Sequence, residues 1–227
     1  MAACPVCYCE DTKESSVPGL HRCPACTHLF QWPLEVRAHY DFEYLRTRYE
    51  SYPTVDAMSH LRLGFVRAMH PSGGKLLDVG YGNGAFLKLA GKAGFTAFGN
   101  DVHGCGHQFG VHDVSLNGDH YDVVTFFDSL EHFASLERPR EVCRLATTVI
   151  VSMPCLPESE ADIPTWKHFR PGEHLHYFTE RSLARFMGDK FCLTCLNLED
   201  TVRGDRHGDW NITTSAWRAL PIEADPS

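Results

Sequence analysis

Four cysteines open the chain in a pattern with direct chemical meaning. Cys4-Pro-Val-Cys7 and Cys23-Pro-Ala-Cys26 make C-x2-C-x15-C-x2-C, inside the spacing of four-thiolate zinc sites. Each C-x-x-C turn offers two sulfurs to one side, and two such turns close a tetrahedron around Zn²⁺. With all four positions filled by protein, no place is left for a reactant, so the ion is expected to be structural. A segment this short buries little core, and the metal supplies the folding energy. Cys9 could stand in for Cys7 at a less usual spacing. His21 and His28 flank the second turn and read as bystanders.

A second constellation is Lys75 to Phe86, KLLDVGYGNGAF. Leu76, Leu77 and Val79 form the short apolar run of a buried parallel strand. Gly80, Gly82 and Gly84 follow, and then Ala85, Phe86, Leu87, Leu89 and Ala90 fall on the inner face of a helix. Strand, glycine turn and helix begin a nucleotide-binding βαβ unit, in which the glycines let the backbone approach a ligand. Gly80, Gly82 and Ala85 also satisfy the dinucleotide pattern G-x-G-x-x-G/A, with Asp101 at about the 20-residue distance of a ribose acid. Asp78 weighs the other way. A carboxylate just before the loop sits badly beside a pyrophosphate and well beside the positive amino and sulfonium groups of S-adenosylmethionine (SAM). The spacing D-x-G-x-G-x-G resembles the first motif of class I SAM-dependent methyltransferases.

The elements that must carry these residues can be read in order. Tyr40, Tyr44, Tyr49 and Tyr52 crowd the stretch after the cysteines, either as an aromatic hinge or as a lid able to hydrogen-bond. Pro53 breaks it, and Val55 to His70 reads as a helix ended by Pro71-Ser-Gly-Gly74. After the glycine loop a helix runs to about Lys92, closed by Gly94. Phe95 to Gly99 is a second strand, and Asp101 at its end is placed for ribose hydroxyls. His103 to Gly110 is short and glycine-rich, so a loop is expected where a helix is usual. Val111 to Val114 would be a short third strand, with Asp113 a candidate partner for an adenine amine. His103, His107 and His112 read as surface histidines. Tyr121 to Phe127 is a buried strand leading to Asp128, Glu137 to Leu145 a helix, and Thr147 to Met153 a fifth strand. Glu180 to Met187 reads as a helix. Phe191 to Thr201 and Asp209 to Trp217 read as two β runs joined by Arg203 to Gly208, and the residues from Pro221 as disordered.

Bulk properties exclude several classes. The chain has 227 residues, 43% of them hydrophobic, and a net charge of −8, enough for one α/β domain and a small module. The acidic balance argues against non-specific nucleic-acid or membrane-surface binding. No apolar run reaches the roughly 18 residues of a membrane helix, and MAACPVCYCE lacks the basic and apolar regions of a signal peptide. A cytoplasmic chain keeps its ten cysteines reduced. The sequon Asn211-Ile212-Thr213 would then go unused.

Two further segments complete a family resemblance: Asp128-Ser-Leu-Glu131-His132, and Pro171-Gly-Glu173-His174-Leu-His-Tyr-Phe178-Thr. With the leading cysteine ribbon, they are similar to the zinc-ribbon methyltransferases that include sugar C-methyltransferases, over roughly Cys4 to Met187. One departure bears on the acceptor. Those sugar enzymes carry a substrate-facing tyrosine where Pro171 stands, so the SAM expectation holds and a sugar-nucleotide acceptor is not expected.

The resemblance implies a Rossmann-like α/β fold: a seven-stranded methyltransferase sheet with helices on both faces. It divides the chain into a zinc ribbon (1–38), an aromatic linker with lead-in helix (39–74) and a methyltransferase domain (75–220). Asp78, Gly80, Tyr81, Gly82, Gly84, Asp101, Val102, Asp113 and Asp128 are the expected cofactor contacts, and Cys4, Cys7, Cys23 and Cys26 the metal ligands. The resemblance also sets His132, Glu173 and His174 over the methyl group. Histidine titrates near neutrality, so His174 and His132 are the natural bases, with Glu173 orienting or binding substrate. Trp166, His168, Phe169, Tyr177 and Phe178 are candidate pocket walls. The expected activity is C- or O-methylation of a small polar acceptor. The alternatives are an RNA or nucleic-acid base methyltransferase that grips its polymer with the ribbon, and a SAM-binding protein without turnover.

Overall fold

The computed structural model describes residues 2–38, 40–50, 55–157, 159–203 and 212–219. Three short strands form the N-terminal module: β1 (Lys13–Glu14), β2 (Leu20–Arg22) and β3 (Leu29–Gln31). Helix α1 (Phe42–Glu50) and helix α2 (Val55–Met69) lead into β4 (Gly74–Val79), α3 (Ala85–Lys92) and β5 (Phe95–Asn100). Then come a single turn of helix α4 (Gly106–Phe109), β6 (Val123–Phe127), α5 (Glu137–Leu145) and β7 (Thr148–Pro154). The chain closes through β8 (His176–Tyr177), α6 (Glu180–Met187), β9 (Phe191–Leu196), α7 (Asp200–Arg203) and β10 (Ile212–Arg218).

The main sheet runs β5-β4-β6-β7-β10-β9. β5, β4, β6 and β7 are parallel, and β10 lies antiparallel to both its neighbours. The alternation of buried residues covers both faces. Leu77, Val79, Val124, Phe126, Val149 and Val151 share one core with Val142 and Cys143 of α5 and Leu183, Phe186 and Met187 of α6. Leu76, Val123, Phe127 and Ile150 point the other way, onto Phe65 and Val66 of α2 and Phe86, Leu87 and Ala90 of α3. A period of two carrying apolar groups to both sides is why these strands read as continuous hydrophobic runs.

Helix α6 begins with a reciprocal cap. The Thr179 hydroxyl accepts from the Ser182 amide, and the Ser182 hydroxyl accepts from the Thr179 amide, satisfying two otherwise orphaned donors.

Three expectations change. The Val111 to Val114 strand is reduced, among the described residues, to one parallel bridge between Gly99 and Asp113, so the sheet has six strands instead of seven. The His103 to Gly110 segment is not wholly a loop: it forms α4, closed by Gly110 at φ 67°. The first of the two C-terminal β runs stops at Leu196, and Asp200–Arg203 turns helical. Residues 204–211, which include most of the expected joint and Asn211, lie outside the described residues, as do Tyr52, Pro53 and the tail from Pro221.

The ribbon and the main domain share structure. β3 pairs with β8, Leu29 opposite Tyr177 and Phe30 opposite His176, giving a sheet of order β1-β2-β3-β8. Cys4, Val6, Cys23 and Cys26 belong to the same buried cluster as Phe178 and Phe186.

Candidate functional site

The glycine loop is shaped by its neighbours as much as by its own freedom. Gly80 has φ 84°, and a Cβ there would stand 2.4 Å from the Ser129 Cβ. Gly84 has φ 71°, and its Cβ would meet Val111 at 2.3 Å. Both positions require the absence of a side chain. The Ser129 hydroxyl donates to the Val79 carbonyl, which ties the turn after β6 to the loop after β4.

The expected cofactor residues surround this loop. Asp78 is buried, its Oδ1 accepting from Thr125 Oγ1 at 2.7 Å. Burial pushes its carboxyl up to about 7, against the pull of that hydrogen bond. Asp101 accepts from the Gly82 amide at 2.9 Å, and burial raises its carboxyl too. The Tyr81 hydroxyl donates to Asp113 at 3.2 Å. Val102 stands open at the rim, 81% exposed.

His103 is not a surface histidine. Its side chain is fully buried. Nε2 donates to the Gly82 carbonyl at 3.1 Å, and Nδ1 accepts from the Cys105 amide at 2.8 Å. It buttresses the loop from beneath, while His107 and His112 are exposed.

Asp128, at φ 55°, is held by two arginines. Arg62 reaches it at 2.8 Å and Arg203 at 2.5 Å, and both also bind the buried Glu199. Although burial alone would raise its carboxyl, the paired guanidiniums hold it well below the usual carboxylate range. Arg62 lies over the Phe127 ring at 4.5 Å.

The turn Leu130–His132 follows directly, at the carboxyl end of β6. Here the two histidine segments meet. The rings of His132 and His174 stand edge to face with centroids 4.6 Å apart. His132 Nδ1 lies 2.9 Å from the Glu173 carbonyl, and His174 Nδ1 lies 2.7 Å from the His168 carbonyl. A carbonyl only accepts, so each Nδ1 carries the hydrogen and each Nε2 keeps its lone pair. Burial lowers both histidines, His174 to about 3.

The Glu173 carboxylate turns away to Arg170 at 3.1 Å, so Glu173 serves His132 through its backbone. The carboxylate that faces the histidines is Glu131. It is 3% exposed, with Oε1 3.8 Å from His132 Nε2. Burial, then the nearby Asp128 charge, push it up to about 8. One ligand atom from each of Glu131, His132 and His174 lies within 4.8 Å of the others. Tyr40 reaches in from the linker, its hydroxyl 3.0 Å from His132 Nδ1.

At the other end of the shared sheet, Cys4, Cys7, Cys23 and Cys26 converge. The Cys4–Cys26 and Cys7–Cys23 sulfurs are 3.6 and 3.5 Å apart. A tetrahedron with Zn–S bonds of about 2.3 Å has edges of about 3.8 Å, so the four thiols fit that ion. Cys9 is not in the set; its carbonyl accepts from the Cys4 amide.

A family described as "Methyltransferase domain" matches residues 45–191, more than half of the chain. The chain belongs to that methyltransferase family. It is a class I enzyme by fold as well. The magnesium protoporphyrin IX methyltransferase of Synechocystis PCC 6803, solved with S-adenosylhomocysteine, aligns at a TM-score of 0.51 and 16% identity over 81% of this chain and 90% of that one. A SAM-dependent methyltransferase from Archaeoglobus fulgidus aligns at 0.54 and 17% over 78% and 100%. The geranyl diphosphate C-methyltransferase of Streptomyces coelicolor, solved with Mg²⁺, geranyl diphosphate and S-adenosylhomocysteine, aligns at 0.54 and 15% over 72% and 79%. A search of curated proteins finds no match. No helix among the described residues of this methyltransferase is long and apolar enough to cross a membrane.

Several residues around the glycine loop and the histidine turn carry little sequence signal. Arg62, Glu199 and Arg203 come from two distant segments and carry no motif. His28 is fully buried: its Nε2 meets His176 Nδ1 at 3.2 Å, and His176 Nε2 donates to the Phe133 carbonyl at 2.9 Å. It links the ribbon to the turn that carries His132. Of the candidate pocket walls, Trp166 and Tyr177 are buried with Val17, Leu20 and Leu29 of the ribbon, where they cement the ribbon to the domain. His168 contributes the carbonyl that orients His174.

Proposed function

We propose that this methyltransferase transfers the SAM methyl group to a carbon or oxygen of a small polar acceptor, whose proton is lost at the Glu131–His132–His174 centre. The observation that carries the reading is the convergence of two histidine rings and a buried carboxylate at the carboxyl end of β6, tied through Ser129 to the glycine loop. Ligands of open α/β sheets bind at that end. SAM brings its own leaving group, so the protein has to align, exclude water and assist deprotonation. In the simplest form His174 Nε2 receives the proton.

Asp101 and Asp113 would hold the ribose and the adenine, with Gly80, Gly82 and Gly84 bringing the backbone close, Tyr81 and Val102 alongside, and Asp78 beneath the positive end. The small-molecule acceptors in the names of two structural neighbours and the net charge of −8 favour a small acceptor over nucleic acid. The four cysteines would hold a structural Zn²⁺. The test is calorimetric titration of zinc-loaded protein with SAM, S-adenosylhomocysteine and NAD⁺. Adenosyl ligands are expected to bind at about micromolar Kd and to lose that binding in Asp101→Ala. Binding of NAD⁺ alone, or of none of the three, overturns the reading.

A further inference from the structure

Glu131 is buried in an unusual way. Neither of its carboxylate oxygens has a hydrogen-bond partner among the described residues. An unmatched buried carboxylate is costly, and native proteins satisfy such groups with donors or cations. The nearby arginines are committed elsewhere: Arg62 and Arg203 to Asp128 and Glu199, and Arg170 to Glu173. What faces Glu131 instead is nitrogen lone pairs. His132 and His174 each give the Nδ1 hydrogen to a backbone carbonyl, which leaves each Nε2 with its lone pair, and that of His132 lies 3.8 Å from Glu131 Oε1. Histidine ligands of metals are held in this manner, with the outer nitrogen bonded to a carbonyl or carboxylate that fixes ring and tautomer.

We propose that Glu131, His132 and His174 bind a divalent transition-metal cation of the Mn²⁺, Co²⁺ or Zn²⁺ class. The site is separate from the cysteine ribbon. The three ligand atoms already lie within 4.8 Å of one another. Ligands about 2.1 Å from a common ion sit about 3.0–3.4 Å apart, so a modest side-chain rotation closes the set. Two imidazoles and one carboxylate on one side of an ion leave its remaining positions open to a further ligand.

The inference rests on the proposed function only for what that further ligand is: a hydroxyl or an enolisable carbonyl of the acceptor. Its oxygen binds the cation and the O–H or α-C–H bond breaks, the proton passing to water. The electron pair left on oxygen or carbon then forms the bond to the methyl carbon. The sulfur–methyl bond breaks, its electrons stay on sulfur, and S-adenosylhomocysteine leaves. No electron is gained or lost overall. The histidine Nε2 atoms then hold the ion instead of taking the proton themselves.

The test is spectroscopic. Protein carrying one equivalent of Zn²⁺ in the ribbon is titrated with Co²⁺ and followed by visible absorption and metal analysis. One further equivalent should bind, with the d–d bands of nitrogen and oxygen ligation and no thiolate charge-transfer band. Glu131→Gln and His174→Ala should lose that equivalent while keeping their zinc and their circular dichroism. His107→Ala, at an exposed histidine away from the cluster, should keep it. No second equivalent in the wild type, or the same uptake and spectrum in Glu131→Gln and His174→Ala, overturns the proposal. SAM titration of the same samples separates the two readings. SAM binding without cobalt uptake removes the cation and leaves His174 as direct base. Cobalt uptake without SAM binding removes the proposed function and leaves the metal site.

Discussion

The Tyr40 hydroxyl lies 3.0 Å from His132 Nδ1, so a residue of the linker touches the centre to which the glycine domain contributes its histidine. Tyr40 also meets Tyr44 edge to face at 5.5 Å. Tyr40→Phe keeps the ring contacts and deletes one polar group. Such a hydrogen bond is worth about 0.5–1.5 kcal/mol. Methyl transfer should fall about 3- to 10-fold in kcat with the Kd for SAM unchanged, measured by single-turnover kinetics beside calorimetry. An unaltered kcat would assign Tyr40 to packing alone.

His174→Ala and His132→Ala separate chemistry from cofactor binding. Each removes a ring of the proposed proton-accepting centre and leaves the glycine loop intact. Loss of methyl transfer by about 100-fold or more is expected, with SAM affinity almost unchanged. A collapse of SAM binding in both variants would place the two histidines in the cofactor pocket.

Gly80→Ala tests the loop from the other side. The added Cβ forces a non-glycine residue to φ 84° and drives into Ser129 at 2.4 Å. The left-handed conformation alone costs about 1–2 kcal/mol, and the tether between the loop and the Leu130–His132 turn must shift. SAM affinity should drop at least about tenfold by calorimetry. Tight SAM binding in this variant would mean that the loop does not approach the cofactor.

Asp78 makes a pH prediction with two opposite signs. Burial raises its folded pKa to about 7, so between the unfolded value and about 7 the native state holds a proton that the unfolded state has lost. Stability from this group is present at low pH and declines as pH rises through the folded pKa. A cationic ligand prefers the ionised form, so SAM affinity should rise over the same interval. Asp78→Asn should therefore melt higher than wild type at about pH 8 while its SAM affinity is weak and flat with pH. A wild-type SAM affinity that does not vary from about pH 6 to 8 would sever Asp78 from the cofactor.

Removal of the ribbon metal should reach the proposed histidine centre. Cys23→Ser, or stripping with a strong chelator, deprives β3 of its anchor, and β3 holds β8 two residues beyond His174. Each kcal/mol lost from a chain of this size lowers Tm by about 2–4 °C. The expected result is a drop in Tm by circular dichroism together with loss of methyl transfer. Retained Tm and activity would reduce the four thiols to ordinary buried cysteines.

What the sequence displays and what it hides divide along physical lines. The glycine loop, helix α6, and the convergence of Cys4, Cys7, Cys23 and Cys26 rest on local spacing, which a linear reading detects. The pairing of Phe30 with His176 joins segments far apart through a two-residue strand too short to carry a pattern. The choice of Glu131 over Glu173 as the carboxylate beside the histidines depends on which way side chains leave a single turn. The quartet of Arg62, Asp128, Glu199 and Arg203 assembles only in three dimensions. His103 read as a surface residue because nothing in a glycine-rich stretch reveals that its ring lies under the loop.

The strand pair β3–β8 sets a rule for exchanging parts between relatives. A cut after residue 38 would strip a hydrogen-bonded partner from the strand that follows His174, bare the Trp166 and Tyr177 rings, and leave His176 without His28. A foreign ribbon grafted at that point would present a strange edge to the strand that follows His174. The unit that can be transplanted is the ribbon together with the segment from Trp166 to Phe178. Acceptor preference would be expected to travel with that pair, while the half that grips the methyl donor stays behind.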